Sequence, residues 1–130
     1  MILADTDVLI DYLAGVQPVH DQLIRAITAD RLWTTAITCF ELLSGAEDGK
    51  RGDPVRRLVE SLSVLPLDRA AAQRAAEVRR RLDRAGQSIA MADSLIAGIA
   101  LTHDLPLFTR NRQHFARVPG LSLVDVEHSR

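Results

Sequence analysis

Cysteine is almost absent. Cys39 is the only one in 130 residues, so neither an intramolecular disulfide nor a thiolate metal cluster can form. It lies among apolar residues and is expected to act as a small core residue. Aromatic residues are scarce at 4%, whereas apolar residues reach 47%, so the core must be aliphatic. Trp33 and Tyr12 stand alone in the sequence, which leaves no row of rings for stacking bases. Lysine is missing except for Lys50; every other one of the 16 basic residues is arginine. Arginine forks onto phosphate oxygens better than lysine, but a lineage preference is the simpler cause of the bias. No apolar run approaches the ~20 residues of a membrane span. The N-terminus lacks a basic stretch followed by an apolar one, so it does not read as a signal peptide, and a cytoplasmic protein is the expectation. A net charge of −1 excludes a strongly basic nucleic-acid binder and leaves room for a basic patch on one face.

What is present is a regular alternation of strand-like and helix-like segments. Residues 1–4 read as a buried first strand ending at Asp5-Thr6-Asp7, and a helix follows from Val8 until Gly15 stops it. Pro18 starts a second helix, with Val19, Leu23 and Ile27 on one face. Residues 32–37 are rich in β-branched side chains and read as a second strand; Thr38 then opens a helix to about Ala46. Residues 50–53 form a charged turn, and Asp53-Pro54 combines a capping acid with proline at the first helical position. Residues 64–67 read as a third strand. Asp68 caps the longest helix, whose stripe of Ala71, Ala75, Val78, Leu82 and Ala85 ends at Gly86. Another helix runs from near Met91 to His103, a fourth strand spans 106–109, and 122–126 suits a fifth, with a frayed tail from Glu127 to Arg130. The pattern predicts one domain, residues 1–130, as an α/β sandwich with a mainly parallel sheet of four to five strands.

Ligands in open α/β sheets collect at the carboxyl ends of the strands. Asp5 ends the first strand, Glu41 falls in the first turn of the helix after the second, and Asp93 falls in the first turn of the helix from Met91. If these three converge they repel one another unless a divalent cation stands between them. Carboxylate oxygens suit Mg²⁺ or Mn²⁺ rather than zinc. Each acid also has a plain structural explanation. Asp5 can end a strand, Thr38-x-x-Glu41 matches a capping box, and Asp93 can face its helix dipole. Asp7 reads as the N-cap of the first helix rather than as a metal ligand. The functional reading rests on the combination.

Four ordered segments carry a family resemblance. Residues 3–10 (LADTDVLI) resemble the opening motif of PIN domains, in particular of the VapC-type toxins of VapBC toxin–antitoxin systems. Residues 38–46 (TCFELLSGA), 89–97 (IAMADSLIA) and 108–115 (FTRNRQHF), followed by 118–121 (VPGL), are similar to the second, third and closing motifs. The resemblance implies a single three-layer α/β/α PIN domain and a Mg²⁺- or Mn²⁺-dependent endoribonuclease toxin. It implies a cognate VapB-type antitoxin, a homodimer, and contact with DNA only indirectly through that antitoxin. Asp5, Glu41 and Asp93 take the places of the family acids. Water would cleave the RNA phosphodiester, leaving a 5′-phosphate and a 3′-hydroxyl. Many relatives carry a fourth acid in the closing motif; here Asn111 and His114 stand in that stretch, and either could fill its place.

Asp5 and Asp93 are then the expected direct ligands, while Glu41 either ligates or holds a metal water and helps deprotonate the attacking one. Thr6 and Thr109 are candidates to donate hydrogen bonds to carboxylates or to the scissile phosphate, and Ser94 is a weaker one that its helix position could equally leave in solvent. Asn111, Arg110 and Arg112 are candidates for contacting the substrate. Lys50, Arg51, Arg56 and Arg57 form a second basic cluster, and Arg79, Arg80, Arg81 and Arg84 a third that reads as a solvated helix face. His20, His103, His114 and His128 show no ligand spacing. Two rival readings stand: a haloacid-dehalogenase-type phosphatase using Asp5 and Asp7, and a non-catalytic RNA-binding PIN module.

Overall fold

The computed structural model describes residues 1–127. Four short strands form one sheet: β1 (Ile2–Ala4), β2 (Leu32–Thr35), β3 (Ser63–Leu65) and β4 (Leu107–Phe108). Their order is β3-β2-β1-β4, and every pairing is parallel. A parallel sheet is covered on both faces, so consecutive strand residues must be apolar. Leu3, Leu65 and Leu107 point to one side, while Ala4, Leu32 and Phe108 point to the other.

Helices cover both sides. On one face lie α1 (Thr6–Ala14), α2 (Val19–Thr28), α3 (Ala36–Gly45) and α4 (Asp53–Ser61), anchored by Val8, Leu23, Leu42 and Leu58. On the other lie α5 (Arg69–Arg84), α6 (Met91–His103) and the short α7 (Arg112–Phe115), anchored by Val78, Ile96 and Phe115. The result is a three-layer α/β/α sandwich. The chain steps outward from β1 to β2 to β3, then returns to the far flank of β1 as β4. Parallel crossovers are right-handed, so reversing direction moves the connecting helices to the opposite face. The reversal puts a switch point between β1 and β4, where the following loops diverge.

Several boundaries differ from the sequence expectation, each for a local reason. Helix α1 starts at Thr6, and its cap is Asp5, whose side chain accepts the Thr6 N–H; Asp7 is therefore inside the first turn and not the cap. Helix α3 starts at Ala36 with Thr35 as its cap, accepting the Thr38 N–H at 3.1 Å. The Thr38–Glu41 capping box does not form, and Glu41 falls in the second turn. At α4 the capping position is Gly52, following a 3₁₀ turn at Gly49–Gly52, and Asp53 is the first helical residue. Asp68 caps α5 as the sequence indicates, accepting from the Ala71 N–H. The fifth strand shrinks to a single parallel bridge between Leu107 and Leu123. The segment beyond it is nevertheless tied down. Gln22 donates to the Asp125 carbonyl and accepts from the Glu127 N–H, and Glu127 pairs with Arg25, so the fraying expected from Glu127 does not begin there. His128 to Arg130 lie outside the described residues. Among the described residues no helix is long and apolar enough to cross a membrane.

The seating of α6 matters most for the site, because α6 carries Asp93. It lies against α5 through small residues. A Cβ at position 98 would stand 2.6 Å from the Ala75 Cβ and 2.7 Å from the Ala71 carbonyl oxygen. Those distances leave no room for a methyl group, so Gly98 sets how closely the two helices approach. Overpacking of this kind typically costs about 1–3 kcal/mol. Gly98→Ala is expected to lower the melting temperature by several degrees. A thermal denaturation series that includes Gly45→Ala, whose added Cβ meets nothing within 4 Å, checks this.

Candidate active site

Asp5 sits at the switch point. Its backbone N–H donates to the Phe108 carbonyl at 2.9 Å, which prolongs the β1–β4 ladder by one step. Its side chain is 6% exposed. One carboxylate oxygen accepts the Thr6 N–H at 2.7 Å, and the other accepts the Thr109 hydroxyl at 2.7 Å. Thr109, fully buried just after β4, thus holds Asp5 from the neighbouring strand.

Asp7 is the residue that sequence reasoning placed wrongly. It turns back from α1 toward the β4 end, where its Oδ2 accepts the Arg110 N–H at 3.0 Å and lies 3.3 Å from the Thr109 hydroxyl. Its Oδ1 is buried without a hydrogen-bond partner. One turn along α1, buried Asp11 pairs with the Arg110 guanidinium at 2.8 Å. The i, i+4 spacing of two acids was the available signal. Asp7 holds the backbone of Arg110 and Asp11 holds its side chain.

Glu41 and Asp93 complete the acidic lining. Glu41 is exposed on α3 and accepts the Thr6 hydroxyl at 2.7 Å. Asp93 is partly buried in the first turn of α6 and accepts from the Asn111 amide at 3.2 Å. Asn111 is itself anchored by its N–H to the Thr109 hydroxyl oxygen. His114 lies close enough for its charge to act on Asp93. The charges of Asp7 and Asp93 bear on Asp5, and those of Glu41 and Asp7 bear on Asp93.

The residues expected to touch substrate are largely engaged within the protein. Thr6, Thr109 and Asn111 serve carboxylates. Arg112 donates to the Val124 carbonyl and to Asp125, so it braces the C-terminal segment. Only Arg110 among them keeps a half-exposed cationic side chain beside the acids. Ser94 is buried and bonds the Ala90 carbonyl, which rules out the solvent-facing position. In the second basic cluster, Arg56 fastens the Glu47 and Gly49 carbonyls and Asp53. Cys39 is only partly buried, not a core residue, and burial pushes its thiol pKa up. Tyr12 is not isolated: it stacks on His20 at 5.0 Å between ring centres.

Burial dominates the electrostatics. It pushes Asp5 up to about 6, opposed by the Thr109 hydroxyl and reinforced by the Asp7 and Asp93 charges. Burial likewise raises Asp7, against the Arg110 contacts. It raises Asp93 too, with Glu41 adding repulsion and His114 relieving some of it. Among the described residues no three His, Cys, Asp or Glu side chains close into a ready cage for a metal ion. The donor set still fits a hard cation. Every candidate ligand on Asp5, Asp93 and Glu41 is a carboxylate oxygen, a buried orphan oxygen of Asp7 adds negative charge beside them, and Mg²⁺ usually keeps several waters while taking only one or two carboxylates.

Fold and site together define a parallel α/β domain with a cluster of carboxylates at its switch point. The PIN domain family profile matches residues 2–121, and the chain belongs to the PIN-domain family, in its VapC branch. It is 38% identical over 115 residues to Ribonuclease VapC10 of Mycobacterium tuberculosis, covering 88% of this chain and 86% of that one. It is 32% identical to the tRNA(fMet)-specific endonuclease VapC of Salmonella typhimurium, covering 84% and 86%. Its fold superposes on the DNA-bound VapBC structure from Salmonella typhimurium with a TM-score of 0.81 and 30% identity, covering 95% and 96% of the two chains.

The raised acids set a pH dependence. A carboxyl whose folded pKa lies above its unfolded value binds more protons in the native state, so its contribution to stability is present at low pH and lost as pH rises through the folded value. For Asp5 that window runs from about 4 to about 6. Metal-free protein is expected to lose stability from this group as pH rises from 4.5 to 7.5. Asp5→Asn is expected to flatten that loss and raise the metal-free melting temperature at pH 7.5. Thermal melts at the two pH values in a chelator check both; an Asp5→Asn protein that melts below wild type at pH 7.5 contradicts them.

Proposed function

We propose that this chain is a metal-dependent endoribonuclease, the toxin of a VapBC-type toxin–antitoxin pair, acting in the cytoplasm. The observation that carries the reading is the set of carboxylates at the switch point: buried Asp5 and half-buried Asp7 and Asp93, coupled through their charges, with one buried Asp7 oxygen lacking a hydrogen-bond donor. Relatives named as ribonucleases over most of their length support the same reading.

Asp5 and Asp93 would hold Mg²⁺ or Mn²⁺, with Glu41 beside them directly or through water. When bound, the cation supplies positive charge to the phosphate and acidifies a water. Thr109 orients Asp5 and Asn111 orients Asp93, so neither carboxylate has to reorganise as the reaction proceeds. Glu41, the most exposed of the acids, is placed to accept the proton of the attacking water. Asp7 supplies the fourth negative charge that the closing motif lacks. Arg110, held by Asp7 and Asp11, offers its guanidinium to a phosphate of the RNA strand. Membership of the PIN family displaces the phosphatase reading, and Lys50, the one lysine, lies in the 3₁₀ turn before α4.

The partner would be a VapB-type antitoxin, with DNA reached only through it, and the toxin would form a homodimer. Solved relatives are described as VapBC bound to DNA. An open apolar groove of about 390 Å³ lies beside Glu41 between α1 and α3, lined by Ile10, Leu13, Leu42 and Val55. Phe40, 71% exposed, stands on the same helix as Glu41. Such surface on a small protein marks a place where another chain docks.

Purified protein is expected to cleave RNA in Mn²⁺ and to stop in chelator. Asp93→Asn should lower the rate by at least about 100-fold, beyond the 10–100-fold typical of outer-shell changes, and Asp7→Asn by about tenfold or more. Both should keep the wild-type circular dichroism spectrum. RNA binding without cleavage in saturating Mn²⁺ would instead favour the non-catalytic module.

A further inference from the structure

Thr38 is left without the role its sequence context suggested. The cap of α3 is Thr35, and the Thr38 side chain is fully buried, 3.2 Å from the hydroxyl of Thr6 on the adjacent helix. Thr6 in turn lies 2.7 Å from a carboxylate oxygen of Glu41. A hydroxyl has one proton to donate and accepts on its lone pairs. Thr6 cannot give that proton to both neighbours. The carboxylate is the stronger acceptor and the closer one, so the proton goes to Glu41. The Thr6–Thr38 contact is then a hydrogen bond from Thr38 to Thr6. The direction of the chain is fixed: Thr38 donates to Thr6, and Thr6 donates to Glu41.

We infer that Thr38 is a positioning residue for Glu41, acting through Thr6. Glu41 is exposed, and among the described residues the Thr6 hydroxyl is its one hydrogen-bond donor. A glutamate side chain free in solvent samples many rotamers, and ordering it costs entropy. Thr38 counters that by filling a lone pair of the Thr6 oxygen, which leaves the Thr6 proton aimed at Glu41. The signal is an intrahelical one: Thr38 and Glu41 are three residues apart on α3 and share a face, and Thr6 comes in from the N-terminus of α1 to bridge them. The same T-x-x-E spacing that suggests a capping box here holds a catalytic-site carboxylate in place.

The inference rests on the nuclease reading for its consequence but not for its geometry, so two readouts separate them. In metal-free protein, side-chain NMR of the Glu41 carboxyl carbon reports its order without any cleavage. Glu41 is expected to be ordered in wild type and Thr38→Ser and mobile in Thr38→Val; equal order in wild type and Thr38→Val overturns the inference. In the cleavage assay, Thr38→Val is expected to lower kcat by about three- to tenfold, the worth of one hydrogen bond, with KM unchanged. Thr38→Ser should return to within about twofold of wild type, and the effect should vanish in a Glu41→Gln background. A Thr38→Val loss that persists undiminished beside Glu41→Gln, or that Thr38→Ser fails to rescue, overturns the role through Glu41. Absence of cleavage by the wild-type protein overturns the nuclease reading alone, and the NMR comparison still decides the relay.

Discussion

Thr109 has one hydroxyl proton and two carboxylates beside it, buried Asp5 and half-buried Asp7. Asp5 takes the shorter contact, and Asp7 is left with a longer one and an oxygen that meets no donor. A buried carboxylate without its hydrogen bonds is costly, and two of them side by side more so. Protein cations relieve this only in part: Arg110 lowers Asp7 while its guanidinium is also paired with Asp11, and His114 eases Asp93. The remaining negative charge stands at the point where the chain reverses its course across the sheet, so the topology that opens the crevice also concentrates the acids in it.

Each wall of that crevice comes from a different part of the chain. Asp5 and Asp7 arrive with β1 and α1, Glu41 with α3, Asp93 with α6, and Thr109 with Asn111 from the turn after β4. Nothing local assembles them. Asp93 reaches its place because Gly98, Ala71 and Ala75 let α6 lie close on α5. Asp5 reaches its place because the β1–β4 ladder carries on past the strand end. Hydroxyl and amide side chains then aim the carboxylates. Stability of the aliphatic sandwich and geometry of the site are for this reason one problem.

Much of this was legible in the residues. Apolar runs ending in Asp5 and Thr109, and the periodic stripe of α5, determine the layers, and strand ends mark where acids can meet. The losses came where one spacing serves two structures. Thr38-x-x-Glu41 fits a capping box and a pair bridged by Thr6 equally well, and only the position of Thr35 decides between them. Asp7 fits an N-cap until Asp5, two residues earlier, takes that place. Arg112 looks available to a phosphate because sequence does not show that Val124 and Asp125 come back alongside it. Burial of Ser94 is likewise a tertiary fact. Two kinds of residue are misplaced by sequence alone: caps where neighbouring residues compete for one position, as at Asp7, Thr38 and Asp53, and side chains such as Arg112 and Ser94 whose surroundings come from far along the chain.

The central claim is that the buried acids are a cation site held partly protonated when empty. Calorimetric titration of Mn²⁺ into metal-free protein, repeated in buffers of different ionisation enthalpy, counts the protons released on binding. With burial pushing the Asp5 carboxyl up to about 6, binding near pH 6 is predicted to release about half a proton or more, falling toward zero by pH 8. Mn²⁺ binding with no proton release at pH 6, or no binding at all at pH 8, would contradict it.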